Sequence, residues 1–267
     1  MTGLQYTDKV AIVTGSSRGI GRGCAQESVR AGARVVVCCN DEADGAAVTS
    51  ELQVQARARG CGDAAFVYCD VTKTDEIRNL IDVTVSRFGS LDCLINNAGW
   101  HPPHKPIDDF SIEDLRDLID LNLISVFAAC KYALPHLRKT RGNIINVASL
   151  VATTGQRHAA TYVATKGAVA ALTRALAIDE APNGVRVNSV SPGNVDTPMW
   201  QEAVDAAADP GRYRAESEAA QLMGRIGTTE EVGRLCLFIA SQATFTTGVD
   251  HIVSGGAELG YGRKSAQ

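Results

Sequence analysis

Short runs rich in β-branched residues alternate along this chain with longer stretches that read as helix. The runs fall at 10–14, 34–39, 64–69, 93–96, 143–148, 186–190 and 249–253, and the helical stretches at 19–31, 43–59, 74–88, 111–137, 162–181 and 228–241. Near-continuous apolar runs suit strands buried on both faces, and a helix between successive strands returns the chain to the same edge of the sheet. The alternation predicts one α/β domain over 1–267, a doubly wound parallel sheet of seven strands with helices on both faces. Start signals agree: Thr228 followed by Glu231 reads as a capping box, and Thr74 reads as a cap with Asp75 and Glu76 in the first turn.

Two stretches carry no such pattern. Residues 100–110, with Pro102, Pro103 and Pro106, and residues 192–221 follow predicted strand ends and are expected to be loops. Long loops in a compact domain are usually functional, and open α/β sheets bind ligands outside the carboxyl ends of their strands. Both are candidate substrate loops.

Between the first strand and the first helix stands Thr14-Gly15-Ser16-Ser17-Arg18-Gly19-Ile20-Gly21. Glycine permits a tight turn and close backbone approach, and a helix amino terminus offers unpaired N–H groups with partial positive charge. Gly15, Ser17, Arg18, Gly19, Ile20 and Gly21 are therefore candidates to hold a dinucleotide pyrophosphate. An acid at the end of the second strand would bond the ribose 2′-hydroxyl and repel a 2′-phosphate. Here that place holds Cys39, followed by Asn40 and Asp41, so Asp41 must substitute. No Lys or Arg follows to welcome a phosphate, which favours NAD, whereas Arg18 leaves NADP open.

Further along, Ser149 precedes Tyr162 by thirteen residues, and Lys166 lies one helical turn after Tyr162. A free tyrosine titrates near ~10, and a neighbouring cation favours its phenolate. Tyr162 is the candidate acid–base group, Lys166 the cation that lowers its pKa, and Ser149 the hydroxyl that orients the substrate. Asn122, unusual inside a helix on propensity, could relay the proton through water or simply face solvent.

Net charge is −4 with no basic run, which gives nucleic acid or an anionic membrane no electrostatic handle. The amino-terminal residues lack a signal-peptide core, and no apolar run approaches the ~20 residues of a membrane span, so a soluble cytosolic protein is expected. Eight cysteines without Cys-x-x-Cys read as reduced thiols, and five histidines show no metal-binding spacing.

In order along the chain, Thr14-Gly15-x-x-x-Gly19-x-Gly21, Asp70-Val71, Asn96-Asn97-Ala98-Gly99, Leu121-Asn122, Ser149, Tyr162-x-x-x-Lys166 and Pro192-Gly193 with Thr197 resemble the short-chain dehydrogenase/reductase family over nearly the whole length. The resemblance implies a Rossmann-like fold and a Tyr-Lys-Ser-Asn acid–base system. It implies that Asp70 and Val71 contact adenine and that Asn97, Ala98 and Gly99 shape the coenzyme floor. Pro192, Gly193, Val195 and Thr197 would hold the nicotinamide, and Lys166 its ribose. The stretches from Trp100 to Pro103, 134–139, 162–168, 191–200 and 255–262 are similar to the subgroup of type 14 17β-hydroxysteroid dehydrogenases, also described as L-fucose dehydrogenases. That likeness implies a cytosolic, NAD-dependent homotetramer with His101, Gln156, Trp200 and Tyr261 in the substrate pocket. The subgroup has Asp where this chain has Cys39, which reopens the coenzyme question. For three of these the alternatives are a solvated His101, a Trp200 that anchors its loop, and a Tyr261 that is either disordered or packed on a neighbouring subunit.

The implied reaction moves hydride from a secondary alcohol, either a 17β-hydroxysteroid or an L-fucose-like hemiacetal, to NAD. An NADPH-dependent carbonyl reductase would use the same residues, and a catalytically silent dinucleotide-binding scaffold would lack one of the four.

Overall fold

The computed structural model describes residues 6–260. From the amino end come β1 (Val10–Thr14), α1 (Gly19–Arg30), β2 (Arg34–Cys39), α2 (Glu42–Arg59), β3 (Asp63–Tyr68), α3 (Thr74–Phe88) and β4 (Cys93–Asn96). There follow α4 (Ile112–Ile119), α5 (Ser125–Thr140), β5 (Asn143–Val147), α6 (Val151–Thr154), α7 (Ala160–Glu180) and β6 (Arg186–Pro192). The carboxyl end adds α8 (Pro198–Asp205), α9 (Pro210–Ala220), α10 (Thr229–Ser241) and β7 (Asp250–Val253). The strands form one sheet in the order β3-β2-β1-β4-β5-β6-β7, and every pair is parallel.

Side-chain alternation divides the strands between two cores. Ala11, Val13, Val35, Val37, Cys93, Ile95, Ile145 and Val147 face the layer that holds Cys24, Val29, Leu52, Cys236 and Ile239. Ile12, Val36, Leu94 and Ile144 face the layer of Ile77, Leu80, Ile81, Cys130, Leu137 and Val169. Each large apolar side chain removed from water contributes about 1.5–3 kcal/mol, so both faces must be covered for the sheet to persist.

α4 and α5 are one continuous helix joined by a π-helical segment, Asp120–Ile124. By length and composition alone the helical stretch Ile112–Thr140 could cross a bilayer, its most apolar window having a mean hydropathy of 1.4. Half of that apolar window is buried inside the protein, where Val126, Ala129, Cys130, Ala133 and Leu137 pack on the second core.

Two sequence expectations need correction. Residues 192–221 are not a loop but carry α8 and α9, each opened by a cap and a proline: Thr197 Oγ1 accepts from the Trp200 N–H at 3.2 Å, and Asp209 Oδ1 from the Arg212 N–H at 2.9 Å. Thr74 is not a cap; the residue before α3 is Lys73, which makes no capping bond, and Glu76 instead accepts from the Asp70 N–H at 2.8 Å. The capping box of Thr228 and Glu231 is present.

α1 and α10 cross at glycine. A Cβ on Gly23 would lie 2.4 Å from the Thr229 carbonyl oxygen, and one on Gly233 2.5 Å from the Gly23 carbonyl oxygen. Gly233→Ala should therefore cost ~1–3 kcal/mol through forced separation of the helices. Gly167→Ala, where the nearest atom to an added Cβ is 3.9 Å away, should instead gain up to ~1 kcal/mol of helix propensity. Thermal melting of the two variants checks the sign of each shift.

Candidate active site

The carboxyl ends of β1 and β4 lie side by side where the strand order reverses. Thr14 and Asn97 join them. Thr14 Oγ1 accepts from the N–H groups of Asn97 and Ala98, both at 3.0 Å, while Asn97 Nδ2 donates to the carbonyls of Thr14 at 2.9 Å and Gly15 at 3.1 Å. Gly15 and Gly19 have φ of 63° and 56°, the left-handed region where a side chain is strained. A Cβ on Gly21 would meet the Gly15 carbonyl oxygen at 2.4 Å. The turn is therefore closed by backbone, and only glycine fits.

This cradle suits a dinucleotide pyrophosphate. Arg18 stands at the N-cap of α1 with no side-chain capping bond, so no side chain of the cap competes for the first N–H groups of the helix. Ser17 and Ile20 flank it within the same turn. Thr197 reaches across from α8: its Cγ2 would be 3.5 Å from a Cβ on Gly19. The Arg18 guanidinium is 3.7 Å from the Glu202 carboxylate, both well exposed, an ion pair worth little in water.

The other coenzyme candidates line the same edge. Cys39 is buried at the end of β2, its thiol donating to the Asp41 carbonyl at 3.1 Å. Asn40 is exposed, and Asp41 caps α2 by accepting from the Asp44 N–H at 2.8 Å. Asp70 accepts from the Thr72 hydroxyl at 2.7 Å and N–H at 3.0 Å, bonds that hold its carboxyl below the usual range; Val71 beside it is buried. Gly99 is confined by Asn122, whose Oδ1 would be 3.0 Å from an added Cβ. Pro192 ends β6, Gly193 donates to the Val253 carbonyl at 3.0 Å, and buried Val195 bridges to Gly227.

Tyr162 and Lys166 share one face of α7, one turn apart. That helix is pinned to the sheet by polar contacts: Thr173 accepts from Asn146 Nδ2 at 2.9 Å, and Asn146 Oδ1 accepts from Asn96 Nδ2 at 2.8 Å, so the third residue of α7 is set by β4 and β5. Ser149, on the turn after β5, hydrogen-bonds the Tyr162 phenol and lowers its pKa, but loss of solvation outweighs that bond and pushes the phenol up to about 12. Lys166 Nζ donates to the Val147 carbonyl at 2.8 Å and stands 5.8 Å from the Tyr162 ring centroid. Burial brings Lys166 down to about 8. The sequence expectation that Lys166 depresses Tyr162 is not met by this arrangement: the ammonium is engaged by a carbonyl, and desolvation governs both groups.

Asn122 is fully buried, not facing solvent. It occupies the π segment, its Oδ1 accepts from the Trp100 N–H at 2.9 Å, and its Nδ2 donates to the Trp100 carbonyl at 2.9 Å and to Thr165 at 3.2 Å. It thereby ties the start of the 100–110 loop to α7. That loop delivers His101, whose ring centroid is 4.1 Å from that of Tyr162, and His101 Nε2 lies 2.9 Å from Gln156 Oε1. Trp200 is buried in α8 under the Arg214 guanidinium, which sits 4.8 Å from its ring, and its indole N–H has no partner among the described residues. Tyr261 lies outside the described residues. Thr165 and His104 were missed from the sequence, which carries no signal for either; Thr14 was read as the start of the glycine motif but not as the group that joins β1 to the Asn97 turn.

No cluster of His, Cys, Asp and Glu able to hold a metal ion occurs among the described residues, and all eight cysteines are free. Residues 15–258 match a family model described as enoyl-(acyl carrier protein) reductase. The chain is 49% identical to an L-fucose dehydrogenase of Bos taurus over 99% of its own length and 95% of that protein. It is 50% identical to the L-fucose dehydrogenase of Rattus norvegicus, covering 98% and 94% respectively. A 3beta-hydroxysteroid dehydrogenase 1 of Eggerthella lenta is 38% identical, with 94% of each chain covered.

From the burial of its phenol, Tyr162 should remain protonated through about pH 10 in protein free of added coenzyme. Subtracting the ultraviolet titration of Tyr162→Phe from that of the wild type should leave no phenolate transition centred below about pH 10, and one centred lower would contradict it.

Proposed function

Because this chain belongs to the short-chain dehydrogenase/reductase family and is a dehydrogenase acting on CH–OH groups, we propose that it oxidises the hemiacetal carbon of an L-fucose-like sugar with NAD. The observation that carries the reading is the wall beside Tyr162, where His101, Gln156 and His104 are linked by hydrogen bonds. A sugar needs several convergent polar groups to fix its orientation, and this wall supplies them. The L-fucose dehydrogenase relatives point the same way.

The residues have separable tasks. The uncapped start of α1 and the turn from Gly15 to Gly21 would hold the pyrophosphate, while Asp70, Val71, Asn97 and Gly99 line the path of the adenosine and ribose. Ser149 and Tyr162 would bracket the reacting hydroxyl, with Tyr162 Oη taking its proton from about 2.6–3.2 Å. Lys166, held at the Val147 carbonyl beside Gly99, lies where a nicotinamide ribose would pass. When bound, the oxidised nicotinamide would bring a positive charge to the cleft and accept hydride from the substrate carbon. Such a charge opposes the desolvation that keeps Tyr162 protonated. Asn122 acts by fixing the Trp100 peptide, and so the position of His101.

NAD is favoured over NADP because Glu42 and Asp44 follow Asp41 in the first turn of α2 and would repel a 2′-phosphate. A 17β-hydroxysteroid is the second reading. It draws on the exposed Met199, Leu222 and Met223 around the 192–224 segment, which would suit a long apolar substrate, and on the steroid-dehydrogenase relative. Reduced cysteines accord with a cytosolic protein. Assembly into a homotetramer is supported by exposed Phe127 in α5, Ile178 in α7, Phe238 in α10, and Val249 and Ile252 at the β7 edge.

Initial rates with L-fucose and with estradiol under saturating NAD decide between the substrates, and faster turnover of estradiol would replace the sugar reading. Tyr162→Phe should lower kcat by ~10²–10⁴ while coenzyme still quenches tryptophan fluorescence. A near-normal rate would remove Tyr162 from the chemistry.

A further inference from the structure

At the amino-terminal end of the sheet, opposite the strand ends that carry the Gly15 turn and Ser149, lies a cavity of about 530 Å³. Its floor forms where the central strands begin, with Lys9 before β1, Asp92 before β4, and Asn143 and Arg186 opening β5 and β6. Arg141, which caps α5, stands in its wall. Three cations thus share the cavity with one acid, Asp92, and that acid is committed. Its buried carboxylate accepts from Lys9 Nζ at 2.8 Å, the Val10 N–H at 3.0 Å and Ser90 Oγ at 3.3 Å. Neither Arg141 nor Arg186 makes an ion pair among the described residues.

Arg186 is half-buried, and it donates from Nη2 to the Ala240 carbonyl at 3.0 Å and from Nη1 to the Thr246 carbonyl at 3.4 Å. These bonds satisfy donors without neutralising the charge, because a carbonyl is uncharged and a guanidinium stays ionised. A charge drawn partly out of water without a counter-ion is costly. Arg141 bears a different cost: its φ of 51° and ψ of 46° are left-handed, a helix end at which glycine or asparagine is usual because a larger side chain is strained. Its stem is nonetheless held, since a Cβ on Gly184 would lie 3.3 Å from Arg141 Cγ and Cδ, while its guanidinium has no hydrogen bond among the described residues. The carboxyl ends of α5 and α10 reach this cavity and attract cations. That attraction accounts for the bond from Arg186 to Ala240 and leaves Arg141 unexplained.

We infer that this cavity binds a small phosphate-bearing anion between Lys9, Arg141 and Arg186. A guanidinium donates in pairs to phosphate oxygens, and two such forks with an ammonium supply more donors than one carboxylate can use. The three cations come from separate segments, the turn before β1, the cap of α5 and the start of β6. They therefore approach from different sides, which suits tetrahedral phosphate oxygens better than a carboxylate whose two oxygens lie in one plane. The anion and the dinucleotide cradle sit at opposite ends of the same parallel strands and share no residue. Occupation of one leaves the other open.

The test is calorimetric titration of inorganic pyrophosphate into the full-length protein at constant ionic strength, with and without saturating NAD. Saturable binding that NAD does not displace is expected. Arg141→Gly should weaken it about tenfold or more through loss of charge-assisted hydrogen bonds. The same variant should melt no lower than the wild type, because glycine suits the left-handed cap, so weaker binding cannot be laid to unfolding. Arg186→Lys keeps the charge but not the fork, and should also bind more weakly. Had Arg141 served the end of α5 alone, Arg141→Gly would titrate like the wild type, and that result overturns the proposal. Absence of saturable uptake by the wild type overturns it too, as does displacement of the pyrophosphate by NAD, which would put the anion in the coenzyme cradle. Dehydrogenase rates with L-fucose test the reading of the other end of the sheet separately.

Discussion

Four hydrogen bonds, three to Thr14 and one to Gly15, tie the end of β1 to the start of the Asn97 turn after β4, and the site is built outward from that joint. Parallel strands buried on both faces can place polar chemistry only at their ends. At the carboxyl end the order of the strands reverses between β1 and β4, so the connections that leave them run in opposite directions and open a crevice. Left alone, such a crevice would expose strand-end carbonyls to a ligand. Asn97 covers two of them with one amide, and the same turn presents Gly99 beside Asn122 and Lys166.

The second side of the site depends on a defect in a helix. An α-helix through 112–140 offers no carbonyl spacing that would make an asparagine side chain useful in its middle. The π segment at Asp120–Ile124 inserts one residue's worth of slack there, and Asn122 turns fully inward. Its amide then binds both polar groups of the Trp100 peptide, a pairing that leaves neither unsatisfied in the interior. The local cost of widened helix geometry is thus offset by fixing the loop that carries His101.

Much of the frame was legible in the sequence because strand propensity and the two-layer burial demand the same residues: Val10–Thr14, Arg34–Cys39 and Cys93–Asn96 begin and end where the apolar runs do. Residues 192–221 failed for a different reason. α9 buries none of its residues, so it leaves no hydrophobic period to detect, although Thr197-Pro198 and Asp209-Pro210 each spell a cap followed by a first-turn proline. The electrostatics of Tyr162 failed because sequence spacing reports proximity and not solvation. A lysine one turn away reads as a cation beside the phenol, yet its ammonium is spent on the Val147 carbonyl. His104 could not be read at all, since its significance depends on Gln156, fifty-two residues distant.

The end of the cleft near Cys39 follows the same logic of solvation. A carboxylate at the end of β2 would act by bonding a ribose hydroxyl; here a buried thiol stands instead and turns inward to the Asp41 carbonyl. Asp41 is oriented by capping α2, yet a capping carboxylate keeps its charge and one oxygen for other contacts. With Glu42 and Asp44 beside it, three acids stand within four residues at the amino end of that helix. On the proposed NAD reading their combined field would disfavour a second phosphate even without a direct bond to the ribose, and the one cation of the cradle, Arg18, has its guanidinium 3.7 Å from Glu202. Discrimination of that kind would rest on repulsion more than on recognition, so it would weaken as salt screens the exposed charges, whereas a buried carboxylate-to-hydroxyl bond would not.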